Sequence, residues 1–159
     1  MDWWRTVQFI TVILLAVAIL DQLAKAAIVS WIGPEQPHQR WEVAGRLAAF
    51  EYVENTGAAF GLFAGRAWLL SAGALMVALG FVAAFWRDLP HSGALRISVG
   101  LVLGGAIGNL VDRMRLGHVV DYLAIGAWPK FNIADSAITI GLVALAYCAF
   151  ADVPSRGKK

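Results

Sequence analysis

The sequence predicts an all-α membrane protein, four transmembrane helices in a single domain over residues 1–159, with a small extracytoplasmic β-containing loop region. Three observations predict it. Hydrophobic residues make up 59% of the 159-residue chain, against about 45–50% in soluble domains. Charged residues make up 15%, where about 25% is ordinary. Four apolar stretches, at about residues 7–29, 67–86, 94–111 and 133–151, each come close to the roughly 20 residues that a helix needs to cross hydrocarbon. A soluble domain of this size would leave much of that apolar surface facing water. Disorder is excluded as well, because disordered segments are poor in apolar side chains.

The first stretch is interrupted by Asp21, Gln22 and Lys25. It has an alternative reading as a cleavable signal peptide, with Arg5 in the n-region and Ala16-Val17-Ala18 as the cleavage site. That reading leaves three further apolar stretches unexplained by secretion. The second stretch carries no formal charge. The third has Arg96 near its start and Asn109 near its end, with Gly100, Gly104 and Gly108 every four residues and Gly105 beside them. Small residues at that spacing let helix backbones approach closely, so these glycines read as packing. The fourth has Asp135 in its first turn.

The connections are unequal. Residues 87–93 form a short connector, whereas 30–66 and 114–131 far exceed the roughly 2–8 residues that join helices in bundles. Phe50-Glu51-Tyr52-Val53-Glu54 is rich in aromatic and β-branched residues, and Asn55-Thr56-Gly57 follows as a turn signal. A small sheet at the membrane surface is expected there. Val119 and Val120 lead into Asp121 in a short apolar segment expected to dip into the interface. Lys and Arg number six on each side: Arg5, Arg87, Arg96, Arg156, Lys158 and Lys159 against Arg40, Arg46, Arg66, Arg113, Arg115 and Lys130. The first set is denser, which favours both termini in the cytoplasm.

Several function classes find no support. Cys148 is the single cysteine, so there is no disulfide framework or Cys-rich zinc site. Net charge is +2 and no basic run is interleaved with aromatics, so nucleic acid is not an expected partner. His38, His91 and His118 share no metal-ligand spacing and have no Gly-x-Ser-x-Gly partner. No metal and no cofactor is expected. Trp3, Trp4, Trp31, Trp68, Trp86 and Trp128 fall near span ends, as aromatic belts do. The partner implied by composition is membrane lipid.

The polar residues are more informative. With four spans, Asp21 and Lys25 lie late in the first, Asn109, Asp112 and Arg113 end the third, and Asn132 and Asp135 open the fourth. All then approach one membrane face, together with Asn55 and Asp121 in the two long loops. Ionisable groups at membrane depth are costly and usually face a bundle interior or wet cavity. Asp21 and Lys25 share a helix face at i,i+4, as do Asn109 and Arg113; the first pair reads equally as a structural ion pair or as part of a site. Asp135 alone reads as a helix cap. Two aspartates, Asp121 and Asp135, brought within a few ångströms cannot both ionise, and such a pair is an acid–base device for water attack on an amide.

At these residues the sequence resembles the bacterial lipoprotein signal peptidase, or signal peptidase II, family. The matching segments are Asp21-Gln22-Leu23-Ala24-Lys25, Asn55-Thr56-Gly57-Ala58-Ala59-Phe60, Gly104 through Arg113, Val119-Val120-Asp121-Tyr122 and Phe131-Asn132-Ile133-Ala134-Asp135. The resemblance implies a metal-independent aspartic endopeptidase of the bacterial inner membrane, sensitive to globomycin-type inhibitors. It implies cleavage of diacylglyceryl-modified prolipoproteins before the lipidated cysteine, near the outer leaflet. Asp121 and Asp135 are then the catalytic pair, Asn55, Asn109, Arg113 and Asn132 line the substrate site, and Asp21 and Lys25 support it. The chain is expected to act as a monomer. A small transporter would instead spread its charges through the membrane depth, and a purely structural subunit would tolerate polar substitution in both long loops.

Overall fold

Apolar side chains facing outward dominate the first helix, α1 (Trp3–Ile32), where Val12, Leu15, Ile19, Leu20 and Leu23 are all exposed. Such a face fits lipid rather than water. The computed structural model describes residues 2–35, 39–45, 47–57 and 68–151. Ala58–Phe60 of the second matching segment, Ala67, His38, and the basic residues Arg46, Arg66, Arg156, Lys158 and Lys159 of the charge tally lie outside them. After α1 come strands β1 (Arg40–Glu42) and β2 (Ala48–Asn55), helices α2 (Trp68–Ala84) and α3 (Gly93–Leu116), strand β3 (Val119–Ile125) and helix α4 (Ile133–Ala151).

The four helices match the four apolar stretches, with two extended beyond them: α1 begins earlier and ends later, and α3 runs on to Leu116. Asn109 and Asp112 therefore precede the last turn of α3, and Arg113 stands in it. Among the described residues, α1 and α3 are long and apolar enough to cross a membrane. Helix α3 starts on Ser92, whose side chain accepts from the Leu95 N–H, and stops at Gly117, whose φ of 80° allows the left-handed turn that closes on the Arg113 carbonyl. Arg113 and Arg115 in its last turn complement the negative end of the helix dipole.

Helix α3 is the centre of the bundle and packs on α1, α2 and α4. Its glycines make this possible. A Cβ on Gly104 would lie 2.8 Å from the Leu14 carbonyl oxygen of α1, and one on Gly105 would strike the Ala134 carbonyl oxygen of α4. Away from the long loops, Ala78, Leu89, Leu95, Val99, Val102 and Leu145 form one apolar core; near them, Ile28, Ile32, Val120 and Tyr122 form another.

The sheet is antiparallel, in the order β1-β2-β3. The expected strand at 50–54 lies within β2, which bulges between Phe50 and Val53. The segment at 119–122 is the start of β3, paired with β2 from Asn55↔Val119 to Val53↔Asp121. Its backbone groups needed partners, and β2 supplied them. The chain is thus mostly helical with a three-stranded sheet.

Candidate active site

Asp121 lies on β3, where its partner across the sheet is Val53, two residues before Asn55. The Asn55 Nδ2 donates to Asp121 Oδ2 at 2.8 Å. Asn55 cannot turn its amide over, because its Oδ1 accepts the Gly57 N–H at 2.8 Å. This is the turn signalled by Asn-Thr-Gly, with Gly57 at φ 73°. On the other edge of β3, Phe131 exchanges backbone hydrogen bonds with Leu123 at 2.8 and 3.2 Å. That pairing sets the next residue, Asn132, beside Asp121, and its Nδ2 donates to Asp121 Oδ1 at 2.8 Å.

Asn132 also begins α4. Its Oδ1 accepts the Asp135 N–H at 2.8 Å, and the Asp135 Oδ2 accepts the Asn132 N–H at 3.3 Å. This reciprocal arrangement is a capping box, with Asp135 as its third-position acid. Asp21 of α1 completes the helix start by accepting the Ala134 N–H at 2.9 Å. The positive end of α4 thus meets two carboxylates. The second oxygen of Asp135, Oδ1, accepts from Asn109 Nδ2 of α3 at 2.7 Å.

Behind Asn109 lies a buried charge cluster. Lys25 Nζ is 2.7 Å from Asp21 Oδ2, 2.7 Å from Asp112 Oδ2 and 3.0 Å from Asn109 Oδ1. An ammonium has three protons, and here each has an acceptor. Asp112 further accepts from Gln22 Nε2 at 2.8 Å and from the Val120 N–H at 3.2 Å. Lys25, Asp21 and Asp112 are all buried. An unpaired charge at that depth would be prohibitive, so the pairing is a condition of the fold.

Asp121 is 1% exposed, whereas Asp135 is half-buried. Burial pushes the Asp121 carboxyl up to about 6, and the negative charge of Asp135 adds to this. Hydrogen bonds from Asn55 and Asn132 and the charge of Lys25 pull the other way. Arg113, half-buried on α3, interacts electrostatically with Asp135, Asp121 and Asp112. A cavity of about 350 Å³, lined by Trp128, Phe131, Ser136, Thr139 and Ile140, reaches Asp135. Another of about 450 Å³ reaches Asp121 past Val53, Glu54, Asn55, Thr56, Pro129 and Lys130.

The fold brings together all eight residues singled out in the sequence. Asp21, Lys25, Asn55, Asn109, Asn132, Asp121 and Asp135 form one continuous hydrogen-bonded network, and Arg113 joins it electrostatically. The three asparagines spend their amide donors on the two carboxylates. Asp112 and Gln22 were missed as site residues. The signal was present: Asp112 follows Asn109 at i+3 on the same helix face, and Gln22 adjoins Asp21. His118 stands apart, 3.8 Å from Glu54.

The model of the signal peptidase (SPase) II family matches residues 13–151. The chain is 39% identical to a lipoprotein signal peptidase of Moorella thermoacetica over 151 residues, covering 95% of this chain and 98% of that one. It is 43% identical to one of Syntrophomonas wolfei, covering 82% and 85%, and 44% identical to one of Rhizorhabdus wittichii, covering 81% and 78%. Among solved structures it is similar to a bacterial membrane enzyme determined in meso at 2.3 Å, with a TM-score of 0.72, 25% identity, and 94% and 92% of the two chains covered. With the family model matched along most of its length and full-length relatives of this similarity, the chain belongs to the signal peptidase II family.

Proposed function

We propose that this peptidase, which removes signal peptides from prolipoproteins, is of the aspartic type, with Asp121 and Asp135 as its catalytic pair. The observation that carries the reading is the bridge between them. Asn132 donates to Asp121, exchanges hydrogen bonds with Asp135, and so ties two carboxyl groups 14 positions apart in sequence into one site reached by two cavities.

The chemistry follows from the different surroundings of the two acids. Asp121, the more deeply buried of the two and with its carboxyl pushed up toward the neutral form, serves as the acid when it carries the pair's proton. Asp135, at the positive end of α4, is the base. It takes a proton from water as the water oxygen bonds to the scissile carbonyl carbon. Asp121 protonates the carbonyl oxygen as the tetrahedral intermediate forms. The intermediate collapses when the C–N bond breaks and the amine leaves with the proton held by Asp135, while Asp121 regains its own. Arg113, which interacts electrostatically with both carboxyl groups, holds the substrate backbone in this reading, and positioning of this kind lowers the barrier by several kcal/mol.

All four helices cross the bacterial inner membrane in this reading, with both termini cytoplasmic and the sheet near the outer leaflet. The enzyme acts as a monomer on diacylglyceryl-modified precursors and cuts before the lipidated cysteine. Lipid chains enter from the bilayer, while the peptide bond reaches the pair. The test is cleavage of a lipid-modified precursor in proteoliposomes. Asp121→Asn and Asp135→Asn should each lose turnover by about 10³-fold or more while still binding precursor. Cleavage by the folded variants at the wild-type rate would remove the mechanism.

A further inference from the structure

Each asparagine around the pair has its amide orientation set by a group that can only donate. For Asn55 that group is the Gly57 N–H, and for Asn132 it is the Asp135 N–H. For Asn109 it is the Lys25 ammonium, 3.0 Å from Oδ1, joined by Asn132 Nδ2 at 3.1 Å. Turning the Asn109 amide over would set its NH₂ against two donors and its oxygen against the Asp135 carboxylate. Lys25 is itself immobile. Asp21 and Asp112 take its other two protons, and Gln22 fixes the far oxygen of Asp112.

We infer that Lys25, held by Asp21 and Asp112, is a positioning residue that acts through Asn109 to keep an N–H donor aimed at Asp135. The inference rests on the aspartic reading and deepens it. The three protons of Lys25 go to Asp21, Asp112 and Asn109, none to Asp135. It polarises the Asn109 amide from behind, so that Nδ2 becomes a stronger donor to Asp135 Oδ1, and it forbids the flipped amide. The effect is to hold the Asp135 carboxyl in one orientation through a fixed donor at Oδ1. Asp112 acquires a role the sequence did not suggest. It is the second anchor that, with Asp21, triangulates the ammonium onto Asn109.

Groups facing this relay come from every packed element. They are Asp21 and Lys25 on α1, Tyr52 on β2, Asp112 and Arg113 on α3, Asp121 and Tyr122 on β3 and Asp135 on α4. Removing Lys25 alone strands two buried carboxylates and can unfold the bundle. The discriminating variant is therefore the double substitution Lys25→Met/Asp112→Asn, which leaves a single buried carboxylate, Asp21, still accepting the Ala134 N–H. With a lipid-modified precursor, its kcat should fall by about 10²-fold, the scale of losing one oriented donor, with KM within a few-fold of wild type. Lys25→Arg retains a cationic donor toward Asn109 Oδ1 and should recover most of the lost kcat.

Wild-type kcat in the folded double variant would overturn the inference. So would a loss carried by KM alone, or a rate loss that tracks loss of folded protein and is not recovered by Lys25→Arg, since that is what a purely structural lysine predicts. Failure of the aspartic reading has a different signature. In that case Asp121→Asn and Asp135→Asn retain cleavage, whatever the double variant does.

Discussion

Asn132 Nδ2 lies 2.8 Å from Asp121 Oδ1, and the backbone of the same asparagine opens the helix that carries Asp135. One residue thus serves as a helix cap and as the link between two acids. The link depends on chain geometry more than on side-chain reach. Phe131 pairs with Leu123, which fixes the register of the strand-to-helix connection, and the capping box then fixes Asp135 three residues on. A cap, often a matter of about 1 kcal/mol in helix stability, here also sets the separation of reactive groups.

The helix contact beneath that cap makes the first prediction. A Cβ on Gly105 would strike the carbonyl oxygen of Ala134, in the first turn of α4. Backbone cannot move aside as a side chain can, so Gly105→Ala should push the start of α4 away from α3. We expect a loss of about 1–3 kcal/mol in stability and a marked fall in cleavage rate. Gly80→Ala on α2 is the control, since nothing lies within 4 Å of a Cβ there. It should be neutral or stabilise by about 0.4–1 kcal/mol. Thermal unfolding and precursor cleavage of both variants check the contrast.

The Asp121 carboxyl makes the second. Its value rises from 3.8 to about 6 on folding, chiefly through burial. Between those two values the folded chain binds more protons than the unfolded one, so this group's contribution to stability falls as pH rises through the window. The total is on the order of 3 kcal/mol, lost by pH 7. Asn in its place has no such titration. The Tm of wild type relative to Asp121→Asn should therefore decline from pH 4 to about 7 and level off above. A difference that rises across this window contradicts the assignment.

How far this site could be read from the chain is visible in particular residues. Asp21, Lys25, Asn109 and Asp135 were legible because charged or amide groups inside apolar stretches need a common interior, and helical spacing says which of them share a face. The four helices followed from the same apolar lengths. Strand β3 was not legible. Val119–Ile125 is apolar and short, and its pairing with β2 depends on a partner more than 60 residues away. Without that strand, the approach of Asn55 and Asn132 to Asp121 had no geometric basis, and the family resemblance carried it. Asp112 was less legible because its partner, Lys25, lies on another helix, 87 positions away in sequence.

The central claim, that two carboxyl groups act as one catalytic unit, is tested most directly by comparing single and double substitutions in one cleavage assay. Rates of lipid-modified precursor cleavage should be measured for Asp121→Asn, Asp135→Asn and the combined variant, each shown to be folded. Groups that work as a unit give strongly non-additive losses, so the combined variant should be no slower than the worse single variant. Losses that multiply, or substantial turnover in either single variant, would contradict it.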